Sequence, residues 1–114
     1  MGYFNIEQLK KLVLAEGVAL RLVSGDKMTM AFYSLNPHAI IPEHDHPHEQ
    51  MGTVLKGSLR LNIGGTEKIV TPGTAYHVPS GIPHSGKCLE APCEVIEIFS
   101  PPREDLLKKL KPVD

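Results

Sequence analysis

Tryptophan is absent from this 114-residue sequence, and phenylalanine and tyrosine number three each. A pocket walled by aromatic rings is therefore hard to build from this chain, which counts against an aromatic substrate. Cysteine appears only twice, as Cys88 and Cys93, too few for a disulfide framework. Net charge is only −1, so no electrostatic field points to nucleic acid or a membrane surface as partner. No apolar run is long enough to span a bilayer. Met1-Gly2-Tyr3-Phe4-Asn5 lacks the basic-then-apolar build of a signal peptide, so the expected location is cytoplasmic, with both thiols reduced. Internal repeats, linkers and low-complexity stretches are missing too, and one domain over residues 1–114 is expected. With no second unit expected, a DNA-reading partner domain is not part of this reading.

What the chain does have is glycine and proline, ten of each, punctuating short apolar runs. Val18–Val23, Met28–Leu35, Met51–Lys56, Ser58–Ile63, Thr66–Val70, Ala75–Val78 and Cys93–Phe99 read as strands. Leu59, Leu61 and Ile63 alternate toward one face, and Gly64-Gly65 makes a two-residue hairpin. Asn36-Pro37 opens a loop into the residues that follow, and Leu-Glu-Ala-Pro between Cys88 and Cys93 reads as a hairpin loop. Short helices are expected at both ends. The first covers about residues 6–16, with Asn5 as cap, Gln8 at the capping-box position, a stripe of Ile6, Leu9, Leu12 and Val13, and Gly17 as stop. The second covers about 101–110, with Ser100 as cap, Pro101 in the first turn, Leu106, Leu107 and Leu110 as docking stripe, and Pro112 as stop. Many short strands with glycine- and proline-rich turns predict an all-β sandwich or barrel.

The most informative stretch is Glu43-His44-Asp45-His46-Pro47-His48-Glu49-Gln50. Residues two apart on a strand share a face, about 6.6 Å apart along it. His44 and His46 are thus a natural pair for one metal ion. Pro47 can break the strand and return Gln50 to them, and His84 of Pro79-Ser80-Gly81-Ile82-Pro83-His84 is the fourth candidate donor. Strand parity alone leaves Glu49 as a rival to Gln50. His48 suits an orienting role or solvent, while His38, His77 and Arg60 read as structural or surface residues. Glu97 interrupts the apolar run Val95-Ile96-Glu97-Ile98-Phe99, where a carboxylate is costly unless paired or near a cation. Arg103 falls in the first turn of the expected last helix, where the dipole disfavours a cation, which hints at a hold on a substrate carboxylate.

These residues carry a resemblance. His44-x-His46-x-x-x-Gln50 followed by Gly57, then Gly73, Pro79, Gly81 and His84, resembles the two motifs of the cupins, spaced and ordered as in that family. The resemblance covers about residues 28–100. It implies a double-stranded β-helix, a jelly-roll barrel, that binds one divalent transition metal (Mn, Fe, Ni, Co or Zn) and assembles as a homodimer. It selects Gln50 over Glu49 as ligand. The tail Phe99-Ser100-Pro101-Pro102-Arg103-Glu104-Asp105 is similar to the KdgF-type cupins of pectin and uronate breakdown. That likeness implies metal ligands His44, His46, Gln50 and His84. It places Glu97, Phe99 and Arg103 on an anionic sugar acid, a 4,5-unsaturated uronate converted to a linear keto sugar. Departures are Gln50 for the usual glutamate, Cys88 for an asparagine, and Glu97 for an aspartate. An all-neutral donor set leaves the ion its full charge and favours an anionic ligand. The alternatives are a metal-dependent dioxygenase and a non-catalytic module binding a small ligand.

Overall fold

Inward and outward residues alternate along the longest strands, and that alternation builds two antiparallel sheets. The computed structural model describes residues 2–110. Ten strands fall in it: β1 Leu12–Ala15, β2 Val18–Ser24, β3 Thr29–Leu35, β4 Ile40–His44, β5 Glu49–Lys56, β6 Leu59–Ile63, β7 Thr66–Val70, β8 Ala75–Val78, β9 His84–Cys88 and β10 Cys93–Ser100. One sheet has the order β1-β2-β3-β10-β5-β8 and the other β4-β9-β6-β7. Their inner faces enclose the core, with Leu20, Leu35, Val54, Val78 and Phe99 wholly buried. This is the expected all-β jelly-roll barrel. Among the described residues no helix is long and apolar enough to cross a membrane.

The ends depart from expectation. In place of a helix over 6–16 there is only a 3-10 turn, Ile6–Gln8, although Asn5 caps it by accepting from the Glu7 amide at 3.1 Å. Leu12–Ala15 is instead an edge strand, with Leu12 opposite Leu20 and Val13 opposite Ala19. A single helix of this length is marginal alone, whereas the free edge of β2 offers a ladder to join. Gly17, at φ +74°, turns the chain between β1 and β2 rather than ending a helix. The C-terminal helix α1 spans Glu104–Leu110, starting three residues later than expected. Ser100 closes β10 and donates to the Lys27 carbonyl, so it is not the cap. The Arg103 carbonyl accepts from Leu106 and Leu107 instead. Leu106 is buried, and Leu107 and Leu110 pack on the core. The expected stop at Pro112 lies outside the described residues.

Two strands escaped the pattern. β4 occupies the expected loop after Asn36-Pro37, because Ile40–His44 shows no alternation of burial to betray it. β9 is short and holds a glycine and a lysine. The Cys88–Cys93 connection is a crossover and not a hairpin, since β9 pairs with β4 and β6 while β10 pairs with β3 and β5. The Gly64-Gly65 hairpin stands as expected, both at positive φ, joining β6 to β7 in register Ile63 opposite Thr66.

Candidate metal centre and cavity

Backbone pairing brings the first two histidines together. His44 ends β4 directly opposite His84, which starts β9, and their ring centroids lie 4.2 Å apart. His46 is not on the strand with His44 as parity suggested. It follows the end of β4, and the loop to β5 swings its ring to 4.9 Å from His84. One ring nitrogen from each of the three can be chosen so that all lie within 4.8 Å of one another.

The tautomers follow from the hydrogen bonds. Nδ1 of His44 faces the Pro42 carbonyl at 2.8 Å, Nδ1 of His46 the His48 carbonyl at 3.0 Å, and Nδ1 of His84 the Ile82 carbonyl at 2.8 Å. A carbonyl only accepts, so each Nδ1 carries the proton and each Nε2 keeps a lone pair. His48 thus orients His46 through its backbone. Nε2 of His46, Nε2 of His84 and Oε1 of Gln50 are buried with no hydrogen-bond partner among the described residues. Orphaned buried acceptors beside a cluster of three imidazoles are what a cation would satisfy, so the set fits a divalent ion. Burial, then the charge of Arg103, lowers the His46 pKa to about 4. Burial lowers that of His84 as well. Both imidazoles are therefore neutral and available as donors.

Gln50 and Glu49 separate cleanly. Gln50 is buried on the inner face of β5, and its Nε2 donates to Glu97 Oε2 at 2.7 Å, which leaves Oε1 as the free end. Glu49 is exposed and meets His77 Nε2 at 2.8 Å. The outer face of the sheet thereby accounts for both Glu49 and His77.

Glu97 is half-buried on β10, and its open side lines a cavity of about 280 Å³ inside the barrel. The Tyr76 hydroxyl donates to the same Oε2 at 2.6 Å. Burial raises the carboxyl pKa, against the opposing pull of Tyr76, Gln50 and Arg103. Burial and the Glu97 charge raise the pKa of Tyr76 and of Tyr33. Neither tyrosine was singled out in the sequence. The available signal is Gly52, opposite both Glu97 and Tyr76 in the sheet. A Cβ there would stand 2.6 Å from the Tyr76 ring and hydroxyl and 3.0 Å from Glu97 Cγ. Glycine at this position makes room for the pair.

Phe99 is buried and stands edge-on to His46, 5.7 Å between centroids. Arg103, also buried, lies 4.6 Å over the Phe99 ring. Its Nε and Nη2 bind Asp105 at 3.1 and 3.0 Å. One edge of the guanidinium is therefore occupied from within α1, and the opposite edge, Nη1 with the second Nη2 hydrogen, has no partner among the described residues. Arg103 occupies the cap position of α1, and the Asp105 carboxylate offsets its charge at that end of the helix. Both Glu97 and Arg103 line the cavity. Arg60 is on the surface near Glu67.

Residues 31–99, more than half of the chain, match the Cupin domain family. The chain belongs to the cupin family. Among the relatives of this cupin is the pectin degradation protein KdgF of Dickeya dadantii, 29% identical over 107 residues that cover 92% of this chain and 97% of that one. The HTH-type transcriptional regulator PuuR of Escherichia coli is 31% identical over 93 residues, 76% of this chain and 50% of the regulator. This cupin thus spans about half the length of that relative. The solved structure of KdgF from a Halomonas species superposes with a TM-score of 0.87 at 24% identity, covering 93% of this chain and 98% of that one, a likeness of fold.

Proposed function

We propose that this cupin is a metal-dependent enzyme that moves a proton on a small anionic carbonyl or enol compound. The observation that carries this reading is Glu97, a carboxylate of raised pKa that opens onto the same cavity as His44, His84 and Gln50. His44, His46, His84 and Gln50 Oε1 hold the ion, one of Mn, Fe, Ni, Co or Zn. A bound ion supplies Lewis acidity that polarises a carbonyl or enol oxygen. Glu97 takes and returns the proton. Oε2 accepts the bonds from Gln50 and Tyr76, so Oε1 is the oxygen left to carry it. The free edge of Arg103 attracts the substrate carboxylate, and Phe99 supports the guanidinium from below. No redox step is needed, and the paired Glu97 favours proton transfer over a dioxygenase.

Conversion of a 4,5-unsaturated uronate to a linear keto sugar is a reaction of this type, and the 29% identity to KdgF supports it as the first assay. A homodimer and a cytoplasmic location belong to the same reading. Exposed apolar side chains such as Val13 and Met51 leave surface for a second copy, and the free thiols of Cys88 and Cys93 suit a reducing compartment. The test follows loss of the uronate's ultraviolet absorbance and, in parallel, deuterium exchange beside the carbonyl of 2-oxo acids. Native protein is compared with Glu97→Ala and with metal-stripped protein. Acceleration of either reaction that needs both the metal and Glu97 supports the proposal. Metal bound at one per chain with no acceleration of either would leave a binding module.

A further inference from the structure

The strand register divides the cavity along the barrel axis into two chemically unlike halves. At one end Phe99 pairs with Gln50, and in the other sheet His44 pairs with His84. One step along, Glu97 stands opposite Gly52, which stands opposite Tyr76. The next step along the first sheet is Leu20-Tyr33-Val95-Val54, and the one after is Val18-Leu35-Cys93. The facing sheet continues from His84 to Gly86 opposite Leu61, then Cys88 opposite Leu59. Cys88 and Cys93 meet at 2.9 Å between sulfurs, which places Leu59 level with Leu35 and Val18 and closes the far end. Polar side chains of the cavity are thus gathered at the histidine end.

Beyond Glu97, the walls facing the cavity are Val18, Leu35, Leu59, Leu61 and Val95. Tyr33 adds a ring at this level, and the Glu97 charge helps to raise the pKa of its phenol. Ser85 also touches the cavity, but on β9 it alternates with the inward His84 and Gly86. Where the two sheets stand apart, β1 and β4 are their edge strands, and Leu14, Ile40 and Ile41 from those edges extend the apolar lining outward. A polyhydroxylated sugar acid placed with its carboxylate at the histidines would press its hydroxyls against these aliphatic walls. Each hydroxyl so buried loses its water and gains no partner.

We infer that the cavity takes a small carboxylate bearing an aliphatic tail, such as a branched-chain 2-oxo acid, with the polar head at His44, His84 and Arg103 and the tail among Leu35, Leu59, Leu61 and Val95. This rests on the proposed function for the position of the head group, and it narrows the substrate away from the sugar acid.

Calorimetric titration of the metal-loaded protein with three probes tests it: pyruvate, 4-methyl-2-oxopentanoate and galacturonate. The tail of 4-methyl-2-oxopentanoate adds three carbons to pyruvate. Each buried methylene tightens binding about fourfold, so a gain on the order of fiftyfold over pyruvate is expected. Ile41→Asn, at the partly exposed lip, should shrink the affinity ratio between the two oxo acids, and cooperative melting with a native circular-dichroism spectrum shows that the variant is folded. Equal binding of the two oxo acids, tighter binding of galacturonate, or no binding by any probe would overturn the inference. Failure of the proposed function looks different: 4-methyl-2-oxopentanoate would bind tightly but show no Glu97-dependent proton exchange. Metal- and Glu97-dependent turnover of the uronate, with galacturonate the tightest probe, would do the reverse, upholding the function and sinking the apolar tail.

Discussion

Gln50 donates its amide hydrogen to Glu97 Oε2 across 2.7 Å, and that one bond sets both the chemistry of the carboxylate and the orientation of the amide. Only the NH2 end of glutamine donates, so a carboxylate partner turns Oε1 away from Glu97. A glutamate at position 50 would lose the bond and set two carboxylates side by side. This explains physically why an amide at position 50 suits a glutamate at position 97.

Gln50→Glu is therefore expected to tighten metal binding through its added negative charge while raising the Glu97 pKa further by like-charge repulsion. The pair titrates as a unit. Metal affinity by competition with a chelator should rise, and the pH profile of turnover should shift to higher pH. An unchanged pH profile would show that residues 50 and 97 do not interact.

Glu97→Gln tests the cost of the buried charge. The carboxyl pKa is raised in the folded protein, so its contribution to stability is fully present below the ordinary glutamate pKa and is lost as pH rises through the raised value. The variant's amide oxygen accepts the same two bonds without charge. It should match the native protein in Tm at acidic pH and exceed it increasingly toward neutral pH, while proton transfer falls by about 100-fold or more. A stability difference independent of pH would contradict the raised pKa.

Gly52→Ala should damage the site more than the fold. The new Cβ meets the Tyr76 hydroxyl at 2.6 Å and Glu97 Cγ at 3.0 Å, and one of the two must move. Overpacking of this kind costs about 1–3 kcal/mol by denaturant unfolding. Misplacing the carboxylate should lower turnover disproportionately, with KM changed less than kcat. A variant with native turnover would show that the Tyr76–Glu97 pair is dispensable.

Asp105 is held down to about pKa 2, first by its hydrogen bonds from Arg103, and its stabilising effect is present above the ordinary aspartate pKa. It is lost as pH falls from about 4 toward 2. The side chain is 54% exposed, so screening limits the effect to about 1 kcal/mol or less. Asp105→Asn should lower Tm slightly at neutral pH and converge with the native protein in that acid window. The same variant frees the Arg103 side edge, and ligand affinity measured alongside reports whether the fork was needed to hold the guanidinium in place.

Cys93 is pushed up to about 12, chiefly by burial, so almost no thiolate exists at pH 8. A thiol reagent should leave Cys93 untouched in the folded protein and modify it on unfolding. Fast labelling of the native chain would mean that the far end of the cavity opens readily.

The residue pattern alone was sufficient for an all-β chain of short strands, and its resemblance to the cupin motifs for the barrel. Alternation in β2, β3 and β6 marks a two-faced strand wherever one face is buried, and the resemblance to the cupin motifs makes His44, His46, Gln50 and His84 the candidate donors. Local pattern also marked Glu97 as anomalous. It failed at β1, where Leu12–Ala15 suits either a helix stripe or a strand and only the free edge of β2 decided between them. It failed at β4, which is mostly exposed and shows no alternation, and at β9, which is short and holds a glycine and a lysine; their pairing with each other and with β6 makes them strands. Parity could not separate Glu49 from Gln50, because a one-residue shift inverts the facing of a strand; the pairing of Phe99 with Gln50 settled which points inward. The Tyr76 bond to Glu97, the room left by Gly52 and the division of the cavity into polar and apolar halves join residues far apart in the chain. Such contacts exist only once the strands are in register, so only the tertiary structure decides them.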